Sequence, residues 1–246
     1  MMNHQKYYQN NEAYSSFLET QNPQEFQKYV YFIDKYSHHT DMILDTGCGT
    51  GIVLSLLEKR SYCDTHGVDI SKTSVGICQG KRLNCSVYDG KILPFENSVF
   101  QVVGSYNVLE HTDDPLAFLE EEFRVLKKGG YLIVACPNFL SITNNYHYHT
   151  SGFFQKISNF FELFKLVFSS EYIFRKMEPV NREEFHPDDD AVNVTNPLSI
   201  LKWAKTKGLK IEYWSSQSIS RKGALTFIDR SFFRIFLGSL FIVFKK

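Results

Sequence analysis

The chain has 246 residues, 43% of them hydrophobic and 22% charged, a balance that fits one globular domain and excludes a wholly disordered chain. Lys plus Arg number 27 and Asp plus Glu number 27, so the formal net charge is zero, which disfavours a nucleic-acid binder working through bulk positive charge. Aromatic residues reach 15%, with 22 Phe, and much of that excess lies in the second half.

Residues 1–22 are polar and carry no apolar signal core. From 41 to 137 the chain alternates between strand-like and helix-like stretches. Residues 42–44 form a short apolar run that ends in a glycine-rich turn. Residues 52–59 then place Ile52, Val53, Leu56 and Leu57 at helical spacing. Residues 63–70 read as a second strand, 72–81 as a helix, 85–88 as a third strand and 100–106 as a fourth. A helix over 115–126 shows apolar positions at Leu116, Leu119, Phe123 and Leu126, with Asp113 or Asp114 as its cap and Pro115 in its first turn. Lys127 and Lys128 place positive charge at its C-terminal end, and Gly129 and Gly130 are expected to stop it. A fifth strand covers 131–135. Strands alternating with helices predict a doubly wound α/β fold, a mostly parallel sheet covered on both faces.

Beyond Pro137 the rhythm changes. Residues 153–174 are an aromatic amphipathic segment, with apolar residues at 153, 154, 157, 160, 161, 164, 167 and 168. Residues 178–190 read as an acidic loop, 197–207 as a helix ended by Gly208, and 209–214 and 240–244 as the last strands. The longest apolar stretch, 235–244, is too short to span a bilayer. The cysteines are Cys48, Cys63, Cys78, Cys85 and Cys136. An odd count without Cys-x-x-Cys spacing predicts neither a disulfide framework nor a zinc knuckle, and hence a reducing, cytoplasmic compartment.

The sharpest feature is Ile43-Leu44-Asp45-Thr46-Gly47-Cys48-Gly49-Thr50-Gly51. A strand ends, glycine recurs at every second position, and a helix begins. Glycine permits positive φ and lets a ligand approach bare backbone, while amides at a helix start favour an anionic group. A ligand-free tight turn is the bland alternative. A dinucleotide fingerprint would require a third glycine where Ile52 stands. Asp45 also points away from a pyrophosphate, which it would repel, and towards a cationic amino-acid moiety.

Over 41–138 the chain resembles the class I S-adenosylmethionine-dependent methyltransferases, in their small-molecule, ubiquinone-biosynthesis-like branch. The first family motif matches Asp45 to Gly51. The acidic residue that holds the ribose hydroxyls matches Asp69 in Gly67-Val68-Asp69-Ile70-Ser71, and the one near the adenine amino group matches Asp89 in Tyr88-Asp89-Gly90. Leu93-Pro94-Phe95, then Val108-Leu109-Glu110-His111 with Asp114-Pro115, then Leu126-Lys127-Lys128-Gly129-Gly130, follow the same branch in order. The resemblance implies S-adenosyl-L-methionine as cofactor, bound by Asp45, Gly47, Cys48, Gly49, Gly51, Asp69, Ile70, Asp89, Gly90 and Asn107. It also implies a single domain with strand order 3-2-1-4-5-7-6 and the seventh strand antiparallel. Residues 1–37 would be a helical cover, 38–136 the cofactor-binding core, 137–196 a cap insertion, and 197–246 the last helices with strands six and seven. On the residues alone, Asp69 and Asp89 also read as turn or cap aspartates.

Methyl transfer to a hydroxyl needs alignment, desolvation and a base for the acceptor's proton. His111, directly after the fourth strand, is the best-placed histidine, with a structural role at a helix start as its alternative. His147 and His149 fit an acceptor pocket, a metal site or a solvated loop. His186 with Asp188, Asp189 and Asp190 reads as a loop rather than a cation site, and no metal is expected. The expected function is methyl transfer, at oxygen, to a small-molecule, lipid-linked or glycan acceptor. A non-catalytic relative and a nucleotide-dependent oxidoreductase are the rivals. The segment 153–174 and the basic residues of 230–246 raise peripheral membrane contact as a further expectation.

Overall fold

A computed structural model describes residues 8, 11–141, 153–169, 171–177, 193–215, 232–236 and 238–246. Among the described residues, the N-terminal part holds helices α1 (Glu12–Glu19) and α2 (Gln27–Tyr36), joined by a 3-10 turn at Pro23–Phe26. The alternating unit follows: β1 (Ile43–Thr46), α3 (Ile52–Glu58), β2 (Thr65–Asp69), α4 (Lys72–Gly80), β3 (Cys85–Val87), β4 (Phe100–Tyr106), α5 (Pro115–Val125) and β5 (Leu126–Cys136). Then come α6 (Phe153–Phe168), α7 (Pro197–Thr206), β6 (Lys210–Ser215) and β7 (Leu240–Lys245). The sheet runs β3-β2-β1-β4-β5-β7-β6, as the resemblance implies. Strand β7 lies antiparallel to both β5 and β6.

Local chemistry sets the helix starts. Asn11 accepts from the Tyr14 amide, Ser71 from Ser74, Asp114 from Leu116 and Ala117, and Asn196 from Ser199. Successive strand residues face opposite sides of the sheet, so both faces must be covered. Leu44, Val103, Leu132 and Ile242 pack with Phe118, Leu119 and Trp203 on one side. Ile43, Val102, Ile133 and Val243 pack with Tyr29, Ile33, Val53 and Leu57 on the other.

The structure corrects three expectations. Gly129 and Gly130 do not stop α5, because Leu126 already turns extended and opens β5. The cation at that helix end is Lys246, not Lys127 or Lys128: its Nζ donates to the carbonyls of Phe123 at 2.6 Å and Leu126 at 2.7 Å. Second, Cys78 and Cys85, which no motif links, lie with their sulfur atoms against each other. The turn from α4 into β3 folds back over seven residues and brings their Cα atoms to 6.4 Å, which motif spacing does not reveal. Third, α6 ends at Phe168 rather than at 174 and is held to the domain by Leu163, Leu166 and Asn159, with Phe160 stacked on Phe236. Among the described residues, no helix is long and apolar enough to cross a membrane.

Candidate active site

Parallel register brings the chemistry-bearing residues to one sheet edge. Asp45 pairs with Gly67 and Thr46 with Val68, so Asp69 leaves β2 level with Gly47. Thr46 also pairs with Ser105, which sets Asn107 just beyond β4 at the same edge. Open α/β sheets bind ligands at this carboxyl edge. The cleft here encloses about 1070 Å³, including the part open to solvent.

The glycine loop forms its floor. Gly47 has φ +74°, and a Cβ there would collide with Val108. Gly49 has φ +52°, and a Cβ there would stand 2.8 Å from Leu18 Cδ1. The amides of Gly47 and Cys48 donate to the Val68 carbonyl at 2.7 and 3.0 Å, tying the loop to β2. Asp69 fixes it further: Oδ2 accepts from the Gly49 amide at 2.9 Å and Oδ1 from the Ser71 amide at 2.8 Å. Burial raises its carboxyl above the ordinary range, while the Ser71, Gly49 and Ile70 amides hold it down. Asp69 is therefore both a turn aspartate and a cleft-lining acceptor.

Asp45 sits at the bottom, 3% exposed. Its Oδ1 accepts from the Tyr29 hydroxyl at 3.1 Å. Tyr29 reaches it because a Cβ at position 104 would collide with that hydroxyl, and Gly104 leaves the space. Burial pushes the Asp45 carboxyl up to about 7, the Tyr29 bond opposes the rise, and the charge of Asp69 adds to it. Behind β1, buried Glu122 accepts from Thr46 Oγ1 at 2.5 Å, and burial pushes its carboxyl up to about 8.

His111 closes the 3-10 turn Leu109–His111 and lines the cleft. Its Nδ1 is 3.1 Å from the Tyr8 hydroxyl, and its Nε2 is 3.8 Å from Glu110 Oε1. The turn is pinned from the far side of the sequence. The Asn193 amide donates to the Glu110 carbonyl at 2.7 Å, and Asn193 Nδ2 to the Thr112 carbonyl at 2.6 Å. Asn107 holds a left-handed φ of +55°, which asparagine tolerates better than most residues.

Of the residues predicted from sequence, Asp45, Gly47, Cys48, Gly49, Asp69, Ile70, Gly90, Asn107 and His111 all line this cleft. Gly51 does not: it caps α3 at φ +83° and packs under the loop against Cys78 and Leu83. Asp89 is exposed and outside the lining, its Oδ1 accepting the amides of Lys91 and Ile92 at 2.9 Å each. His147, His149 and His186 lie outside the described residues. Sequence reasoning missed Tyr8, Tyr14, Leu18, Phe26, Tyr88 and Tyr106, all part of the wall. The 14, 17, 18 apolar spacing of α1 was the available signal for two of them. Among the described residues, the soft donors lying within 4.8 Å of one another are Cys48, Cys78 and Cys85, the last two in contact with each other.

The residues present fit S-adenosylmethionine. A buried carboxylate suits its ammonium group, a second carboxylate at the end of β2 suits a diol, and bare glycine backbone admits the chain between them. Aromatic walls suit a purine.

Residues 44–134 match a family model described as a methyltransferase domain. An uncharacterised methyltransferase of Schizosaccharomyces pombe is 35% identical over 121 residues, covering 44% of each chain. A ubiquinone biosynthesis O-methyltransferase of Coxiella burnetii is 24% identical over 175 residues, covering 69% of this chain and 63% of the other. The chain thus spans less than two thirds of the length of these relatives. A solved S-adenosylmethionine-dependent methyltransferase of Mesorhizobium loti superposes with a TM-score of 0.57 at 11% identity, over 90% of this chain and 98% of that one, a likeness of fold.

Proposed function

We propose that this chain, a member of the class I S-adenosylmethionine-dependent methyltransferases, transfers a methyl group from that cofactor to a hydroxyl of a small-molecule, lipid-linked or glycan acceptor. The observation that carries the reading is the convergence of Asp45, Asp69 and the glycine loop on one cleft, with His111 in the same cleft's wall. The cofactor supplies a methyl already activated on a sulfonium. What remains for the protein is to bind, align, exclude water and take a proton.

Asp45 holds the ammonium end, with Tyr29 fixing the carboxylate's orientation. Asp69 takes the ribose hydroxyls on the acceptor capacity left beside its two amide bonds, and Ile70, Tyr88 and Gly90 flank the base. Tyr8, Tyr14, Phe26 and Tyr106 give the rest of the cleft an aromatic wall that favours an apolar acceptor and sheds water. His111 receives the hydroxyl proton, oriented by the Tyr8 hydroxyl at Nδ1. The name of the Coxiella relative places it in O-methylation, which supports oxygen as the methylated atom here. The oxidoreductase rival is disfavoured by Ile52 at the third glycine position.

Calorimetry and labelled transfer test this together. The protein should bind S-adenosylmethionine and S-adenosylhomocysteine and ignore NAD, and it should move labelled methyl from the former onto a lipid-extractable metabolite. Binding of NAD without binding of the methionine-derived ligands would end the reading.

A further inference from the structure

We infer that the outward face of α6 docks on an anionic phospholipid bilayer. This deepens the lipid-borne acceptor of the proposed function, but the docking itself does not require methyl transfer. The helix has two apolar faces with different fates. Leu163 and Leu166 are fully buried against Leu140, Val194 and Leu198. Asn159 Nδ2 donates to the Phe139 carbonyl, and Lys202 Nζ to the Leu166 carbonyl. The domain holds α6 through these contacts and through Phe160, which stacks on Phe236 at one edge of the other side. On that side Phe154 is 84% exposed, Phe161 57%, Phe164 53% and Phe168 77%, with Ile157 between them at 39%. A large contiguous apolar patch left in water marks an interaction surface.

Two features select the occupant. At 3.6 residues per turn, these five side chains with the exposed Phe160 and Val167 fill an arc of roughly 140°. Lys156 and exposed Lys165 stand at its two borders. The helix's one carboxylate, Glu162, lies away from the arc, 3.7 Å from Arg175. An apolar arc edged by lysines matches an interfacial helix, whose rings enter the acyl boundary while the ammonium groups reach the headgroups. The 154, 157, 161, 164, 168 spacing also suits pairing with a second copy of the chain. A two-fold of this face would bring lysine borders together with no carboxylate to pair them, whereas anionic headgroups complement them. The location is coherent with the cleft. The cap segment that packs against α6 includes Asn193, which is bonded to the turn carrying His111.

The test is flotation of the full chain with phosphatidylcholine vesicles, with and without phosphatidylglycerol. Anionic lipid should raise binding about 30-fold through the two lysines, and high salt should reverse that gain. Phe161→Ser with Phe168→Ser should abolish flotation while leaving the melting temperature and S-adenosylhomocysteine affinity unchanged. If that pair lowers the melting temperature, Lys165→Glu with Lys156→Glu serves instead, and should lose the preference for anionic lipid. Wild-type protein that stays in the soluble fraction with both vesicles overturns the inference. So does a dimer in light scattering that Phe161→Ser dissociates, because a second copy then covers the face. Flotation without any methyl transfer would leave the docking standing and remove only the transferase reading.

Discussion

Raising the pH from about 6 to about 7.5 should tighten S-adenosylhomocysteine binding about five- to sixfold, and Asp45→Asn should flatten that slope. Burial pushes the Asp45 carboxyl up to about 7. About a tenth of it is then ionised near pH 6 and about three quarters near pH 7.5. An ammonium group binds the carboxylate rather than the acid, so affinity follows the ionised fraction. The ligand's own α-amino group loses its charge near pH 7.7–8.0 in its unperturbed form, which sets an upper limit to the rise. Binding near pH 6 should therefore release close to one proton, readable by calorimetry in buffers of different ionisation enthalpy. Asp45→Asn keeps an oxygen to accept from Tyr29 but loses the charge-assisted bond, a loss of about 1.5–3 kcal/mol near pH 7.5. A wild-type affinity that is flat across this range, or an asparagine variant with the wild-type profile, would refute the assignment of Asp45 to the ammonium end.

The apo protein should lose stability as pH rises. Asp45 and Glu122 have folded values of about 7 and about 8, above their ordinary 3.8 and 4.5, so their contribution is whole below the ordinary values and falls as pH passes through the folded ones. Scanning fluorimetry should show a falling melting temperature from about pH 5 to about 8, a shallower fall with S-adenosylhomocysteine bound, and a shallower one in Glu122→Gln. Asp69→Ala should cost about 2–4 kcal/mol of folding stability by stranding the Gly49 and Ser71 amides, and Asp69→Asn, which keeps one acceptor and turns an NH2 towards the other amide, should cost about 1–3 kcal/mol as well as weakening cofactor binding. Denaturant titration beside calorimetry separates the two, and an unchanged affinity in Asp69→Asn would remove the ribose role. His111→Ala should lower turnover by about 10²–10⁴ with cofactor affinity intact, and activity within a few fold of wild type would show that another group takes the proton.

Much of this protein is written in local sequence. Short apolar runs and helical apolar spacing marked the strands and helices of 41–137. Asp114 announced a helix start by side-chain chemistry that acts over three residues. The loop from Asp45 to Gly51 declared itself because positive φ and close backbone approach both demand glycine. What acts over longer distances was hidden. Lys246 seals the end of α5 from more than a hundred residues away, and Tyr8 reaches His111 across 103 positions. Asn193 pins the His111 turn from the cap. Cys78 and Cys85 meet only because α4 folds back onto β3. The direction of α6 was equally out of reach. Its pattern showed a wide apolar face, but apolar spacing records only that a face exists. Which side meets the domain depends on the hole left by Leu140, Val194 and Leu198, and the narrower stripe of Leu163 and Leu166 fits it, leaving Phe161, Phe164 and Phe168 exposed. Period and propensity are properties of neighbouring residues, whereas a docking face, a cap from afar and the meeting of two thiols exist only once distant segments share one surface.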